Sequence, residues 1–318
     1  MRALVTGGGG FIGSNLVEAL LGRGHDVLVL DDFSTGRRAN LAEAPAWAAA
    51  GNGAFALLEG DVRDRATVER ATRGRDWIFH LAAVPSVVRS VADPLTSHLV
   101  NVDGTLLLLL AARDQGAKRF VFASSSSVYG ESETLPKVET MPSAPISPYG
   151  LNKLASETYC LLFHRLYGLP TIALRYFNVF GPRQNPASEY AAVIPRFVAA
   201  AFAGERPTIF GTGEQTRDFT YVANVVDANL RAAEAPETAC GQAYNIACGD
   251  RISLLRLVAR ISELTGRPLE PLHEPARPGD ILHSMAGIEK ARLGLGFAPQ
   301  VSFDEGLAKT VDCFRRSA

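Results

Sequence analysis

The sequence predicts an α/β fold: a doubly wound parallel sheet that carries a smaller α/β lobe toward the C-terminus. Three observations predict it. Short apolar segments alternate with helix-length segments through the first half of the chain. The apolar segments are hydrophobic almost throughout, which is typical of strands covered on both faces. The first of them runs through a glycine-rich turn into the first helical segment. Such alternation gives a parallel sheet, because each helix returns the chain across the face of the sheet.

Seven apolar segments predict the strands of this sheet. In chain order they are ALVTG (3–7), DVLVLDD (26–32), FALLEGD (55–61), DWIFHLAA (76–83), RFVFASS (119–125), TIALRYFNV (171–179) and AYNIA (243–247). The segment after the first strand, 11–24, has apolar residues at a spacing that places them on one helix face: Ile12, Leu16, Ala19 and Leu20. Further helices are predicted at 148–167, 191–203 and 253–265.

The regular alternation loosens after residue 178, where prolines and glycines become frequent. We therefore predict a main domain formed by residues 1–177, to which 218–247 returns. Residues 178–217 and 248–318 are predicted to form the smaller lobe.

The composition is that of an ordinary globular protein with a sizeable core: of 318 residues, 47% are hydrophobic and 20% are charged. The formal net charge is -1, and the sequence contains no basic stripe or polybasic run. We expect neither nucleic acid nor a membrane as a partner. The longest apolar run, TLLLLLAA (105–112), is far shorter than the roughly 20 residues that span a bilayer, so we expect a helix buried on one side.

The four cysteines, Cys160, Cys240, Cys248 and Cys313, form no C-x-x-C pair and have no metal-ligand partner at useful spacing. We interpret them as reduced thiols and expect no metal. The chain opens directly on a strand, RALVTG, rather than on a signal peptide. We therefore expect a cytoplasmic protein.

The glycine-rich turn predicts a binding site for a dinucleotide. Gly7, Gly10 and Gly13 follow a strand and open a helix, so a pyrophosphate could approach the backbone and the positive end of the helix. Asp31, at the end of the second strand, could accept both ribose hydroxyls of an adenosine and repel a 2′-phosphate. NAD is therefore preferred, although Arg37 and Arg38 leave NADP open.

Tyr149 and Lys153 are four residues apart and share one face of the predicted helix, which Ser147 and Pro148 begin. A phenol loses its proton near pH ~10, but a fixed cation beside it favours the phenolate. The pair is therefore a candidate acid–base group for hydride chemistry on a hydroxyl-bearing carbon. The alternative is a partly buried tyrosine and a solvated lysine that pairs with Glu157.

A run of serines, ASSSSVYG (123–130), stands at the carboxyl end of the fifth predicted strand. Ligands of open α/β sheets bind outside the carboxyl ends of the strands. Hydroxyls at this place could orient a substrate hydroxyl and assist proton transfer.

These elements, in this order, resemble the extended short-chain dehydrogenases/reductases, which have a Rossmann fold. Within that superfamily the chain is most similar to the NAD-dependent UDP-sugar 4-epimerases, especially the bacterial UDP-N-acetylglucosamine 4-epimerases. The resemblance covers nearly the whole chain. It is carried further by DDFSTGRRANL (31–41), GDVRD (60–64), HLAA (80–83), VNVDGT (100–105), LRYFNVFGPRQ (174–184), YAAVIPRF (190–197), GEQTRDFTYV (213–222), YNIACGDRISL (244–254) and RPGDILHS (277–284).

The resemblance implies a role for each matching residue. Ser125, Tyr149 and Lys153 would be catalytic. The NAD-binding residues would be Gly7, Gly10, Phe11, Ile12, Gly13, Asp31, Asp32, Ser34, Gly36, Asp61, Val62, Leu81, Ala82, Ala83, Asn101, Tyr149, Lys153 and Tyr176. The UDP-sugar would contact Ser86, Ser125, Ser127, Asn178, Val193, Ile209, Phe210, Arg217, Arg277, Asp280 and Ser284.

The implied activity is reversible epimerisation at C4 of a UDP-hexose through a 4-keto intermediate. Two positions indicate which reaction and which substrate are expected. The related 4,6-dehydratases have acidic residues where this chain has Ser126 and Ser127, which disfavours dehydration. Ser284 occupies a position at which a bulky tyrosine is typical of the epimerases restricted to glucose and galactose. Because serine is small and leaves room for an N-acetyl group at C2, UDP-GlcNAc/UDP-GalNAc is the expected substrate pair. Gly287, where the family often has aspartate, departs from the pattern in the same loop.

Two alternatives stay open. A UDP-glucuronate 4-epimerase would need a cation for the C6 carboxylate, which Arg89 or Arg183 could supply. The second alternative is a protein of another class, which binds a dinucleotide without catalysis. Such a protein would be expected to have lost Tyr149 or Lys153, and both are present. The resemblance also implies a homodimer that pairs helices around 105–115 and 149–167.

Overall fold

The computed structural model describes residues 1–185, 192–276 and 282–317. Its strands are β1 (Arg2–Thr6), β2 (Asp26–Asp31), β3 (Phe55–Glu59), β4 (Trp77–His80), β5 (Arg119–Ser125), β6 (Thr171–Tyr176), β7 (Val179–Phe180), β8 (Thr208–Phe210), β9 (Thr216–Arg217), β10 (Thr220–Tyr221), β11 (Gln242–Ile246), β12 (Ile252–Ser253) and β13 (Leu272–Glu274). Its α-helices are α1 (Phe11–Gly22), α2 (Ala44–Gly51), α3 (Arg65–Thr72), α4 (Val87–Ala92), α5 (Pro94–His98), α6 (Gly104–Asp114), α7 (Pro148–Tyr167), α8 (Val193–Ala203), α9 (Val222–Glu234), α10 (Leu254–Thr265), α11 (Glu289–Leu295) and α12 (Phe303–Ser317).

Seven strands form one parallel sheet in the order β3-β2-β1-β4-β5-β6-β11. The predicted fold class and all seven predicted strands are confirmed. The strand order reverses between β1 and β4, so a crevice opens beyond their carboxyl ends. At their carboxyl ends, several strands are shorter than predicted, because the next residues leave the sheet. Leu81–Ala83, for example, follow β4 and line a cavity.

Helices cover both faces of the sheet. On one face α1 packs against α2 and α9, and on the other face α6 packs against α3 and α7. The two hydrophobic layers bury side chains from both sides of each strand: Val5 and Val29 belong to one layer, and Leu4 and Leu30 to the other. Because both faces of the sheet are covered, successive side chains of a strand are all apolar, and each strand forms a continuous apolar run in the sequence.

Helix α7 begins and ends at the predicted residues. The Ser147 hydroxyl accepts a hydrogen bond from the backbone N–H of Gly150 at 3.1 Å, and Pro148 occupies the first turn. Gly168 ends the helix in the left-handed conformation, with φ of +69°. These local signals fix both ends of the helix that carries Tyr149 and Lys153.

The second half of the chain adds small strand pairs and helices at the carboxyl end of the sheet. Strand β10 pairs with β7, β12 with β9, and β13 with β8, while α8, α10 and α12 pack together. Within residues 218–247, α9 packs on α1 and β5, and β11 completes the main sheet. The division into two domains remains a proposal that these positions support.

One helical run in the described part of the chain, Pro94–Asp114, is long and apolar enough to cross a membrane by length and composition. Its most apolar window has a mean hydropathy of 1.4 and is 50% buried inside the protein. Leu108, Leu109 and Ala112 are fully buried against the sheet. The run therefore has the packing of a core helix, as the sequence predicts for 105–112.

Candidate active site

A glycine turn joins β1 to α1 and forms a cradle that side chains would fill. Gly7 has φ of +71°, and a Cβ there would lie 2.7 Å from the backbone nitrogen of Ala82. A Cβ at Gly13 would lie 2.1 Å from the carbonyl oxygen of Gly7. The first turn of α1 has no side-chain cap, so its backbone N–H groups are free to bind an anion. The cradle fits the pyrophosphate of a dinucleotide.

A cavity of about 610 Å³ extends from this cradle along the carboxyl ends of the strands. All the predicted cofactor residues line it except Asp61 and Asn101. The Asp61 carboxylate accepts hydrogen bonds from the Nε of Arg63 at 2.9 and 3.0 Å. The Asn101 side chain is buried and accepts the backbone N–H of Val84 at 2.8 Å. These two side chains are therefore engaged within the protein.

Asp31 lies where the adenosine ribose would be recognised. Its carboxylate accepts the backbone N–H groups of Gly9 at 2.7 Å and Phe33 at 2.8 Å, which orient it in the cavity wall. Burial raises the pKa of this carboxyl group, against the effect of the two N–H donors. Arg38 pairs with Glu59 and covers the ring of Phe33, whereas Arg37 lines the cavity.

The structure brings the three predicted catalytic side chains together. Tyr149 and Lys153 line the inner part of the cavity from α7, and the hydroxyl of Ser125 hydrogen-bonds to that of Tyr149 from the end of β5. Lys153 is buried, and its Nζ donates to the carbonyl oxygen of Ala123 at 2.7 Å. The Nζ lies 5.9 Å from the centre of the Tyr149 ring.

Burial, rather than the ammonium, dominates the acidity of Tyr149 here. It raises the pKa of the phenol, and the hydrogen bond with Ser125 opposes that rise. Burial also lowers the pKa of Lys153 to about 8. The expectation that Lys153 lowers the pKa of Tyr149 below its usual value is therefore wrong for the protein alone.

A second cavity, of about 260 Å³, adjoins the first, since Ala192 lines both. The predicted substrate residues Asn178, Val193 and Arg217 line it. Ile209 and Phe210 lie in β8, which pairs with β13, and neither residue lines this cavity. Arg277 and Asp280 lie outside the described residues.

The predicted serines lie at three places around the two cavities. Ser86 lines the first cavity, and its hydroxyl accepts the backbone N–H of Arg89 at 3.1 Å. The hydroxyls of Ser125 and Ser127 are 3.1 Å apart. The backbone N–H of Ser284 donates to the carbonyl oxygen of Thr216, next to Arg217, at 3.1 Å.

His80 is held in the core between two threonines. Thr105 donates to the carbonyl oxygen of Asn101 and so accepts from Nε2 of His80 at 2.9 Å, while Thr6 donates to Nδ1 at 2.7 Å. Burial lowers its pKa to about 3, so this histidine is neutral at physiological pH. His164 also has a partner within the protein, since its Nδ1 lies 3.2 Å from the carbonyl oxygen of Leu169.

Several residues that line the first cavity are not among the predicted cofactor or substrate residues of a 4-epimerase. Gln184 and Asn185 line it from the segment that follows β7, and Asn40 donates to the carbonyl oxygen of Gly9 at 2.9 Å. Arg183 lines the same cavity, donates to the side chain of Asn15 at 2.8 Å and pairs with Glu18 on α1. Asn40, Arg183 and Gln184 lie within matching sequence segments, but the partners of Asn40 and Arg183 are distant along the chain.

Comparison with known proteins agrees with this geometry. The family model of the NAD dependent epimerase/dehydratase family matches residues 3–247. A UDP-glucose 4-epimerase of Mycolicibacterium smegmatis is 42% identical over 320 residues, covering 100% of each chain.

Two solved structures have the same fold over the whole chain. A UDP-N-acetylglucosamine 4-epimerase of Methanobrevibacter ruminantium, in complex with UDP-N-acetylmuramic acid, has a TM-score of 0.93 at 39% identity and covers 100% of this chain and 99% of that one. A UDP-glucose 4-epimerase of Thermus thermophilus, in complex with NAD, has a TM-score of 0.89 at 37% identity and covers 100% of both chains.

Proposed function

Because this chain belongs to the NAD-dependent epimerase/dehydratase family, we propose that it epimerises a UDP-hexose reversibly at C4. The observation that carries the proposal is that Tyr149 and Lys153 line the cavity that begins at the glycine cradle, with the hydroxyl of Ser125 beside that of Tyr149. A phenol, a hydroxyl and an ammonium at this place suit proton exchange with a sugar alcohol.

In the proposed mechanism, Tyr149 removes the proton of the sugar 4-hydroxyl when hydride leaves C4. It later returns a proton to the same oxygen, when hydride is added to the opposite face of C4. Ser125 bridges the phenol and the sugar hydroxyl. When bound in the cavity that Tyr149 and Tyr176 line, NAD would supply the acceptor and donor of the C4 hydride and, in its oxidised form, a positive charge that favours the phenolate. Lys153 contributes a cation within the same buried space, which favours the phenolate over the phenol.

The second cavity is the proposed site of the nucleoside diphosphate. Arg217 and Asn178 line it and would bind phosphate oxygens, since a guanidinium fork suits them. Because Ala192 joins the two cavities, a sugar that extends from the second would reach Tyr149 in the first. Rotation of the 4-keto sugar about its diphosphate linkage would then present either face for reduction.

We propose UDP-GlcNAc/UDP-GalNAc as the preferred pair and UDP-Glc/UDP-Gal as further substrates. Ser284 supports this preference, since its backbone bonds to Thr216, next to Arg217 in the cavity wall, and its small side chain would leave room for an acetamido group at C2. In the Ser284→Tyr variant we expect loss of turnover on UDP-GlcNAc with retention on UDP-Glc. Ser284→Ala is the matched control, and it should keep both activities.

The glucuronate alternative has less support. The Nη2 of Arg183 donates to Asn15 and pairs with Glu18 on α1, and this carboxylate competes with the one that the alternative needs Arg183 to bind. Arg89 lines the first cavity and keeps that alternative testable.

The test is incubation of the purified protein with UDP-GlcNAc, UDP-Glc and UDP-GlcA in turn, without added cofactor. We expect UDP-GalNAc from the first and UDP-Gal from the second. Protein that carries NAD yet converts none of the three would overturn the proposal in favour of a non-catalytic dinucleotide-binding protein. Conversion of UDP-GlcA alone would support the glucuronate epimerase.

We also propose a homodimer that pairs α6 and α7 with those of a second copy, in a cytoplasmic protein. Leu151, Leu162 and Leu166 are exposed on α7, so they do not form a buried face within one chain. Exposed apolar side chains on one helix favour burial against a partner.

A further inference from the structure

Asp218 is a buried carboxylate within the wall of the second cavity. Its neighbours Arg217 and Phe219 line that cavity, but its own side chain is fully buried. The Oδ1 accepts the backbone N–H of Cys248 at 3.0 Å. The Oδ2 accepts the backbone N–H groups of Gly249 at 3.0 Å and Ala286 at 3.1 Å. One side chain therefore binds two segments that are distant along the chain.

One of these segments carries a proposed substrate residue, and the other follows a strand at the carboxyl end of the sheet. Residues 248–249 follow β11, and Ala286 lies two residues after Ser284. The backbone carbonyl of Asp218 also accepts the side-chain N–H of Asn178, at 3.2 Å, and Asn178 lines the second cavity. The contacts of Asp218 thus join the groups proposed to hold the diphosphate to the segment proposed to meet the sugar.

The pattern of donors requires a carboxylate. Three N–H groups point at two oxygens, and both oxygens must accept. An asparagine would keep one acceptor and turn an NH₂ group toward a backbone N–H. A buried donor without an acceptor costs roughly 1–3 kcal/mol, so the site distinguishes aspartate from its closest isostere.

We propose that Asp218 is a positioning residue for the UDP-sugar, which holds segments 248–249 and 284–286 in place before the substrate binds. The proposal rests on the proposed function of this site. It predicts a substrate site that is already formed in the free holoenzyme.

The first test compares the Asp218→Asn variant with the wild type, both as holoenzymes. We expect the Kd for UDP and the KM for the UDP-sugar to rise at least ~10-fold, since the displaced segments no longer meet the ligand. The kcat should change less than ~3-fold and bound NAD should be unchanged, because Tyr149 and the cradle lie in the other cavity. Equal Kd and KM in the two proteins would overturn the proposal.

Thr171→Val is the matched control for lost stability. Thr171 is fully buried at the start of β6, at the opposite end of the sheet, and its hydroxyl donates to the carbonyl oxygen of Cys160 at 2.6 Å. This variant should lower the melting temperature without changing the Kd for UDP. A parallel rise of the Kd in the control would assign the effect to general destabilisation.

A second measurement needs no variant. Hydrogen exchange of the wild-type holoenzyme should show slow amides at 248–249 and at Ala286 without UDP, with little further slowing when UDP is added. Fast exchange that becomes slow only with UDP would overturn the claim that the site is formed in advance. UDP binding without epimerisation would instead refute the proposed function and leave the role of Asp218 standing.

Discussion

At the scale of single residues, the active site is governed by burial. Tyr149 and Lys153 lie in a space where charge is costly: the pKa of the phenol is raised and that of the amine is lowered to about 8. Each shift favours the neutral form, but an amine with a pKa of about 8 is still mostly charged at neutral pH, whereas the phenol is fully protonated. We therefore expect Tyr149 to become a phenolate only with its ligands bound.

The Tyr149→Phe variant tests the phenol directly. It removes the hydroxyl that exchanges the proton while keeping the ring, so we expect kcat to fall by at least about 100-fold. The amount of NAD bound should be unchanged, as measured by release on denaturation. Tyr167→Phe, at the exposed far end of the same helix, is the control and should leave kcat unchanged. Undiminished turnover in Tyr149→Phe would refute the assignment.

At the scale of elements, a buried ion pair fastens α7 to the sheet. The carboxylate of Glu157, one turn beyond Lys153, accepts two hydrogen bonds of 2.6 Å. One comes from the guanidinium of Arg175 on β6, and the other from the hydroxyl of Ser124 on β5. Arg175 also donates to the hydroxyl of Tyr129 at 2.8 Å. Both charged side chains are buried and hydrogen-bonded. Removing one of them is costly, because the other would remain as a buried charge without a counter-ion.

We expect Glu157→Gln to lower the free energy of unfolding by about 3 kcal/mol, because Arg175 is left as a buried charge without a counter-ion. Adding Arg175→Met should recover part of the loss. Urea denaturation followed by circular dichroism measures both effects. Glu289→Gln, which breaks an exposed pair with Arg292, is the control and should leave the urea midpoint unchanged. A double variant as unstable as the sum of the single variants would contradict this account.

At the scale of the whole molecule, the stability should fall in acid partly through His80. Its pKa is about 3 in the folded protein against 6.5 when unperturbed, so unfolding takes up a proton between these values. The stability contribution is therefore present above pH 6.5 and is lost as the pH falls toward 3. Near pH 5, we compare the slope of the free energy of unfolding against pH in the two proteins. The slope should be smaller in His80→Gln than in the wild type by about 1 kcal/mol per pH unit. Identical slopes would show that His80 takes up no proton on unfolding.

The proposed dimer is also a property of the whole molecule. Replacing Leu162 and Leu166 on α7 by glutamate should convert the dimer to a monomer, since charges would enter an apolar interface. Sedimentation velocity measures the change. Leu293→Glu, on the equally exposed helix α11, is the control and should leave the mass unchanged. A wild-type protein that sediments as a monomer would refute the proposal.

The sequence alone determined the sheet, the glycine cradle and the helix that carries Tyr149 and Lys153. Each of these depends on local pattern: apolar runs, glycines at fixed spacing, and the capping residues Ser147 and Gly168. Such signals act between residues that are close along the chain, so they can be read without coordinates.

Only the tertiary structure decided how the distant segments meet and how burial acts on their charges. Asp218 binds residues 30 to 68 positions away, and the guanidinium of Arg183 is held by residues 165 and 168 positions away. The lowered pKa of Lys153 likewise follows from the layers packed around it. These properties depend on which surfaces the fold brings into contact, and no local spacing encodes that.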